Sequence, residues 1–357
     1  MIYDVINNLT GSPVLSAVIV AMLPLFLFIL PFALVAVYLE RKVSAHMQDR
    51  LGPMRVGYHG VLQTIADIIK LIQKEDIIAK ENDKLLFNIA PVLVFVGSYA
   101  AFAAIPFTSV FIGAQIDLGI FLIIAVTGLV VAGILMAGWA SNNKYSLLGA
   151  MRAAAQIISY EIPTILVVLS LVMMTGSMNL YTLSEMQTGY FWNWNLFGGS
   201  YDLLQKLLLI PFMLIGFIII YISTLAEVNR TPFDIPEAES ELVSGFHTEY
   251  SGMKFAIFFL AEYANMFAVS AIVAALFLGG YQSPFGYLGN LIGAEWLVPI
   301  EQFLWFTIKG VGLVLVQMWL RWTLPRLRVD QLMTVSWKYL IPISFVNLII
   351  IGLITIL

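Results

Sequence analysis

The sequence predicts an all-α polytopic membrane protein, with about eight transmembrane helices plus an interfacial amphipathic helix. Three observations carry this. Of 357 residues, 60% are hydrophobic and 11% charged, with a mean hydropathy of +0.91, well away from soluble averages. Apolar runs of the roughly 20 residues that cross a bilayer recur at 14–38, 88–107, 118–138, 155–178, 206–226, 255–279, 297–319 and 338–357. Sixteen of the eighteen basic residues fall in the connections after the first, third, fifth and seventh runs, Lys206 and Lys309 being the exceptions. Basic residues collect on the cytoplasmic side, so both termini are expected on the non-cytoplasmic side of a single membrane domain, 1–357.

In order along the chain, the opening MIYDVINNLTGSP lacks a basic segment, so the first run is expected to be retained, not cleaved as a signal peptide. The cytoplasmic loop 39–87 follows. It holds Glu40, Arg41 and Lys42, then QDRLGPMRVG over 48–57, where Gly52–Pro53 marks a turn. From Val61, apolar residues at 61, 62, 65, 68, 69 and 72 oppose Gln63, Asp67, Lys70 and Lys74. This is the period of an amphipathic helix lying in the interface plane, with a helix packed on a neighbouring subunit as the alternative. The positive-inside bias alone explains Arg41 and Lys42. Together with the turn and the interfacial helix, these residues suit the floor of a cavity opening sideways to lipid.

Segments 178–205 and 280–296, rich in Gly, Asn, Trp and Tyr, read as interfacial loops on the opposite side with aromatic anchoring. No repeat, low-complexity tract or soluble domain is present.

Composition also excludes. Without cysteine the chain holds no thiolate-bound iron–sulfur cluster, Cys-based zinc site, thiol nucleophile or disulfide. His46, His59 and His247 lie far apart and read as solvated loop histidines, so no metal is expected. No phosphate-binding glycine motif stands at a strand–helix junction, and no nucleic acid is expected as a partner. Any redox centres belong to other subunits.

The acidic loop 227–254 and its flanks concentrate the chemistry. Glu227, Asp234, Glu237, Glu239, Glu241, Glu249 and Glu262 face only Arg230 and Lys254 within 225–265. A carboxylate at a membrane-helix centre costs roughly 2.5 to 3.5 kcal/mol on insertion scales. Glu161 and Glu262 fall about two turns inside the fourth and sixth runs and are functional candidates by default; the alternative is a structural pair such as Glu262 with Lys309. If helical, Glu237 and Glu241 share a face and perturb each other's ionisation, as suits a relay; a solvated acidic loop is the alternative.

At these residues the chain resembles a family of membrane subunits of proton-pumping NADH:quinone oxidoreductase, respiratory complex I: the family that forms the quinone chamber. The blocks are Glu40-Arg41-Lys42, QDRLGPMRVG, GWASNNKYSLLGAMRAAAQIISYE over 138–161, EVNRTPFDIPEAESELVSG with EYSGMKFA and AEY, and RWTLPRLRVDQLM over 321–333. They cover most of the chain. The resemblance implies a subunit of a translocase that binds no cofactor covalently or by motif, with a quinone (ubiquinone or menaquinone) as substrate. Flavin and iron–sulfur clusters are then expected only in partners. These partners are the hydrophilic iron–sulfur and quinone-site subunits of the peripheral arm, small membrane subunits and antiporter-like subunits, in the lipid bilayer of a bacterial inner membrane, an organellar inner membrane being the lesser alternative.

By motif, Glu161, Glu227, Glu237, Glu239, Glu241, Glu249 and Glu262 become candidate proton carriers of the coupling channel. Arg41, Gln48, Arg50, Asp67 and Arg230 become candidate lining or support of the quinone-access chamber. Three positions depart from the family pattern: Met54 stands where Asn is usual, Thr64 where Pro is common, and Phe246-His247-Thr248 where Tyr-Asn is frequent. None removes a candidate carrier.

Three rivals predict other features. A homologous hydrogenase subunit shares the fold, but the full QDRLGPMRVG and EAESELVSG blocks favour the quinone enzyme. A stand-alone transporter predicts paired, similarly interrupted spans in two halves, and no such symmetry is seen. A purely structural anchor leaves Glu161 and Glu262 without a reason.

Overall fold

The computed structural model describes residues 11–236 and 238–356, except the side chains at 14, 17, 18, 21, 239, 240, 290 and 291. Eight helices among them are long and apolar enough to cross a membrane: α1 (Met22–Met47), α3 (Lys84–Ala103), α4 (Gly119–Ala140), α5 (Lys144–Thr175), α6 (Leu203–Glu227), α7 (Gly252–Phe277), α8 (Glu295–Thr323) and α9 (Val329–Ile356). The amphipathic helix α2 (Gln63–Gln73) lies between α1 and α3. No strand forms among the described residues; only isolated bridges join Pro106 to Ile112 and Tyr190 to Phe285.

Helix ends follow local chemistry. The Asp83 carboxylate accepts from the amides of Leu85 and Leu86 at 3.1 and 3.3 Å and caps α3, and Asn143 accepts from Tyr145 at 2.9 Å to cap α5. Gly176, at φ +71, ends α5 in the left-handed conformation that glycine alone enters without strain. Two π turns, Leu25–Ile29 and Val335–Leu340, lie just before Pro31 and Pro342. A proline donates no amide hydrogen bond and crowds the preceding turn, and a widened turn absorbs both effects.

The observed spans exceed the apolar runs at several ends. α5 has 32 residues, about 48 Å at 1.5 Å per residue, well beyond a ~30 Å hydrocarbon core. Its first turns, KYSLLGAMRAA, are helical yet too polar to count as membrane span. Glu161 therefore lies near the middle of α5 as a helix while standing about two turns inside its apolar run. α9 likewise starts nine residues before its apolar run.

Small residues set the packing, because helices in lipid associate through close backbone approach rather than hydrophobic burial. A β-carbon at Gly133 would stand 2.6 Å from Val94 Cγ2, and one at Gly97 would stand 2.8 Å from Val130 Cγ2, so α3 and α4 meet glycine against valine in both directions. Gly138 admits Ala150 between α4 and α5 in the same way. The main core is aromatic, with Phe28 and Phe267 at 4.6 Å and Phe107 and Phe306 at 5.2 Å between ring centroids. A second, alanine-rich core joins α3, α4 and α5 to the acidic loop through Phe246, Tyr250 and Phe258.

α2 shows its predicted amphipathicity, with a difference. Thr64 is buried and Asp67 partly so, whereas Ile65, Ile69 and Ile72 are exposed. Most of its apolar stripe thus faces away from the bundle, which suits a membrane interface or a neighbouring subunit alike. Segment 178–205, expected as an interfacial loop, also makes specific contacts with a span. Gln187 Nε2 donates to Ala275 O at 2.9 Å and Asn195 Nδ2 to Leu276 O at 2.8 Å, so the segment satisfies carbonyls that the C-terminus of α7 leaves open.

Candidate functional site

α1, α2 and α7 enclose a cavity of about 190 Å³ with aliphatic and aromatic walls, among them Leu30, Val37, Leu71, Phe255 and Phe259. Its polar groups are few: Thr64, Tyr263, and the pair Arg41–Asp67, bonded at 2.5 Å. Gln63 donates to the other Asp67 oxygen at 3.1 Å, which fixes the carboxylate from both sides. Of the five chamber candidates, Arg41 and Asp67 line this cavity. Gln48 and Arg50 bond to each other at 2.8 Å, exposed just past the end of α1 and outside the lining. Arg230 stands behind the Tyr263 wall.

There a dense charge cluster forms. The Tyr263 hydroxyl donates to Glu40 Oε2 at 2.5 Å, and Arg230 Nη1 donates to Glu40 Oε1 at 2.8 Å. Arg321 also bonds Glu40 Oε1, and Arg230 Nη2 reaches Glu262 Oε1 at 3.1 Å. Glu40 and Arg230 are 6% and 4% exposed, so each ion loses most of its hydration and depends on its partners. Burial alone would lower the Arg230 pKa, but Glu262 and Glu40 raise it well above the ordinary guanidinium range. The Arg230 guanidinium lies 4.9 Å from the centre of the Tyr263 ring, a further favourable contact for a desolvated cation.

Glu40, Tyr263 and Arg321 are absent from the sequence-derived candidates. The signals were slight: an acid closing an apolar run ahead of two basic residues, and a tyrosine beside Glu262. Only the fold brings positions 40, 230, 262, 263 and 321 together.

Deeper in the bundle, Glu227 and Glu161 make different contacts. Thr164 Oγ1 lies 3.2 Å from Glu227 Oε1 and 3.0 Å from Tyr160 O. Thr127 Oγ1 lies 2.7 Å from Glu161 Oε1 and 2.6 Å from Ile124 O. Each hydroxyl has one proton and two acceptors within reach. A carboxylate takes that proton; a carboxylic acid donates its own and frees the hydroxyl for the backbone. Among the described residues no cation bonds either acid.

Two small cavities join these groups. One, of about 40 Å³, is lined by Glu227, Asn229, His247, Glu262 and Asn265; the other, of about 50 Å³, by Thr127, Glu161, Thr164, Glu227 and Asn265. They share Glu227 and Asn265, and each has room for a few waters at ~10–15 Å³ apiece. From the chamber wall inward the order is therefore Tyr263 and Glu40, Arg230, Glu262, Glu227, Glu161.

The acidic loop is pinned to α5. Glu241 pairs with Arg152 at 2.7 Å, and Asn143 Nδ2 donates to Glu249 Oε1 at 2.8 Å. Asp234 pairs with Arg326 at 3.0 Å. The helix expected to carry Glu237 and Glu241 on one face is only Glu239–Leu242; Glu237 and the Glu239 side chain lie outside the described residues. The histidines divide. His46 and His59 are exposed as expected, though His46 sits in the last turn of α1 rather than in a loop, and His247 is 8% exposed and lines the smaller cavity. Its loop folds back onto α5, which composition alone does not reveal.

The alternative pairing of Glu262 with Lys309 does not form. Lys309 Nζ donates to the carbonyls of Leu278, Gly280 and Gln282 at 2.6, 3.0 and 2.6 Å and lies 4.3 Å from the Trp194 ring centre. A cation at a helix C-terminus meets the negative end of the dipole.

A family model described as NADH dehydrogenase matches residues 19–352. The NADH-quinone oxidoreductase H chain of Chlorobium luteolum is 51% identical over 342 residues, 95% of this chain and 89% of that protein. Its namesake from Chlorobaculum parvum is 52% identical over 93% and 90% of the two chains. The namesake from Geobacillus thermodenitrificans is 46% identical over 91% and 90%.

Proposed function

The chain belongs to the NADH dehydrogenase family, and on that premise we propose that it forms the quinone-access chamber and acidic coupling channel of a proton-translocating NADH:quinone oxidoreductase. It is a multi-pass membrane subunit without a redox centre of its own. A lipid-soluble quinone enters the cavity between α1, α2 and α7, whose apolar walls suit an isoprenoid tail and whose Arg41–Asp67 pair and Tyr263 supply the few polar contacts such a site needs. Reduction takes place against a peripheral-arm subunit seated on the cytoplasmic loops 39–87 and 227–254. The new negative charge is felt by the Glu40–Arg230–Glu262 cluster behind Tyr263, and Glu227 and Glu161 carry the response inward as altered protonation.

The observation that carries this reading is the succession of ionisable groups from the cavity wall at Tyr263 inward to Glu161 in α5. The reading also entails a complex in a bacterial inner membrane, with small and antiporter-like membrane subunits alongside. Tagging the chain, extracting it in mild detergent and identifying co-purifying proteins by mass spectrometry tests it. A flavin- and NADH-binding arm with antiporter-like chains is expected; a nickel–iron hydrogenase partner would overturn the quinone assignment, and a chain purifying alone would overturn the complex.

A further inference from the structure

We propose that His247 is a proton-carrying group of the channel, linking the acidic loop to the intramembrane glutamates; this rests on the coupling role proposed above. His247 closes the short turn Gly245–His247. That turn lies flush on α5, since a β-carbon at Gly149 would stand 2.7 Å from Gly245 Cα. On one side the imidazole packs on aromatic rings, with Phe258 at 5.2 Å and Phe255 at 5.6 Å between centroids. On the other it lines the cavity shared by Glu227, Asn229, Glu262 and Asn265. Two residues on, Glu249 is held by Asn143, so the ring sits where the loop hands over to the bundle.

Among the described residues, the charged groups on the elements around it are few. Glu227 ends α6 and Glu262 lies on α7, with Arg230 bonded to Glu262. Lys254 of α7 is paired with Asp76 at 2.7 Å, and Arg152 of α5 is turned to Glu241. α3 and α4 contribute only Val94, Ser98, Val130 and Ile134 to the cavity. Within its own segment, Tyr250 stacks on Phe87 at 4.0 Å.

An imidazole takes a proton on one nitrogen and releases one from the other. The step is balanced: an imidazolium gives its proton to a glutamate across the cavity, and the neutral ring is recharged from water at the loop. A glutamate in its place needs rotation to do the same.

The test uses the whole complex in native membranes, with His247→Gln, His247→Asn and His247→Phe beside Glu227→Gln. Phe keeps the aromatic packing, and Gln or Asn keeps a polar group, but none of them titrates. At wild-type content of complex, the three His247 variants are expected to lose quinone-linked turnover on the order of tenfold. That is below the 10²–10⁴ of a sole general base, because cavity water partly bypasses the ring. The pH–rate profile should also flatten, since none of the three replacements takes up a proton. Wild-type turnover and pH profile in His247→Gln or His247→Phe would overturn the proposal. If those two are normal while Glu227→Gln is impaired, only the histidine role falls. If Glu227→Gln is normal as well, the coupling role itself fails.

Discussion

Two sets of acids inside the bundle are held by opposite means. Glu40 and Glu262 are locked by guanidinium groups, Arg230 between them and Arg321 on Glu40. Glu227 and Glu161 rest on threonine hydroxyls. A guanidinium does not deprotonate and accepts no hydrogen bond, so it fixes a carboxylate as a carboxylate. A hydroxyl serves either protonation state. The difference separates the roles these acids can take in the proposed channel: the first set is rigid and stays charged beside the cavity, and the second can exchange protons.

The largest expected effect breaks the first set. Arg230→Ala leaves Glu40 with Arg321 and the Tyr263 hydroxyl, and Glu262 without its guanidinium. A loss of about 3–5 kcal/mol follows for a broken buried pair, read as a collapse in assembled complex on native gels and a lower unfolding midpoint. Arg230→Lys should recover only part, since an ammonium cannot reproduce the planar fork. If Arg230→Ala assembles normally, the cluster is not the rigid element of the pair.

Glu227→Gln and Glu161→Gln attack the second set differently. The amide still bonds its threonine, so assembly should persist while quinone-linked turnover drops by about 10², the lower range for a lost proton-transfer group. Turnover per assembled complex decides this; a parallel loss of complex would erase the contrast with the guanidinium-locked set. Thr164→Val sharpens the comparison further. It keeps the shape and removes one hydrogen bond, for about 1 kcal/mol, measured as a several-fold drop in turnover with unchanged complex content. The smallest effect belongs to the loop. The Arg152–Glu241 pair is largely exposed, at 31% and 58%, so Arg152→Gln should change stability by no more than about 1 kcal/mol, less still in high salt. A larger loss would show that the loop, not the bundle, holds the channel.

Much of this was legible beforehand. Hydropathy alone locates all eight spans, and the period at 61–72 locates α2, because lipid leaves the backbone no alternative to helix. Boundaries were less legible: α5 and α9 run past their apolar cores, since a helix can continue into a polar region where hydropathy falls. Glu161, Glu227 and Glu262 stood out as acids in or beside apolar runs. Glu40, Tyr263 and Arg321 did not, and His247 read as a loop residue, because burial of a loop depends on what it packs against. Arg230 read as chamber lining, and the fold sets it one layer behind.

By itself, then, the sequence determined a cysteine-free, eight-span helical membrane chain, its family, and the acids that stand out against their apolar surroundings. Those are properties of composition and local period. Only the tertiary structure decided which acids face guanidinium and which face hydroxyl, that Lys309 closes the end of α7 rather than neutralising Glu262, and that His247 lines a cavity with Glu227 and Glu262. Each of these depends on residues tens to hundreds of positions apart meeting across helix interfaces, where glycine-mediated close approach sets the geometry and no periodicity records it.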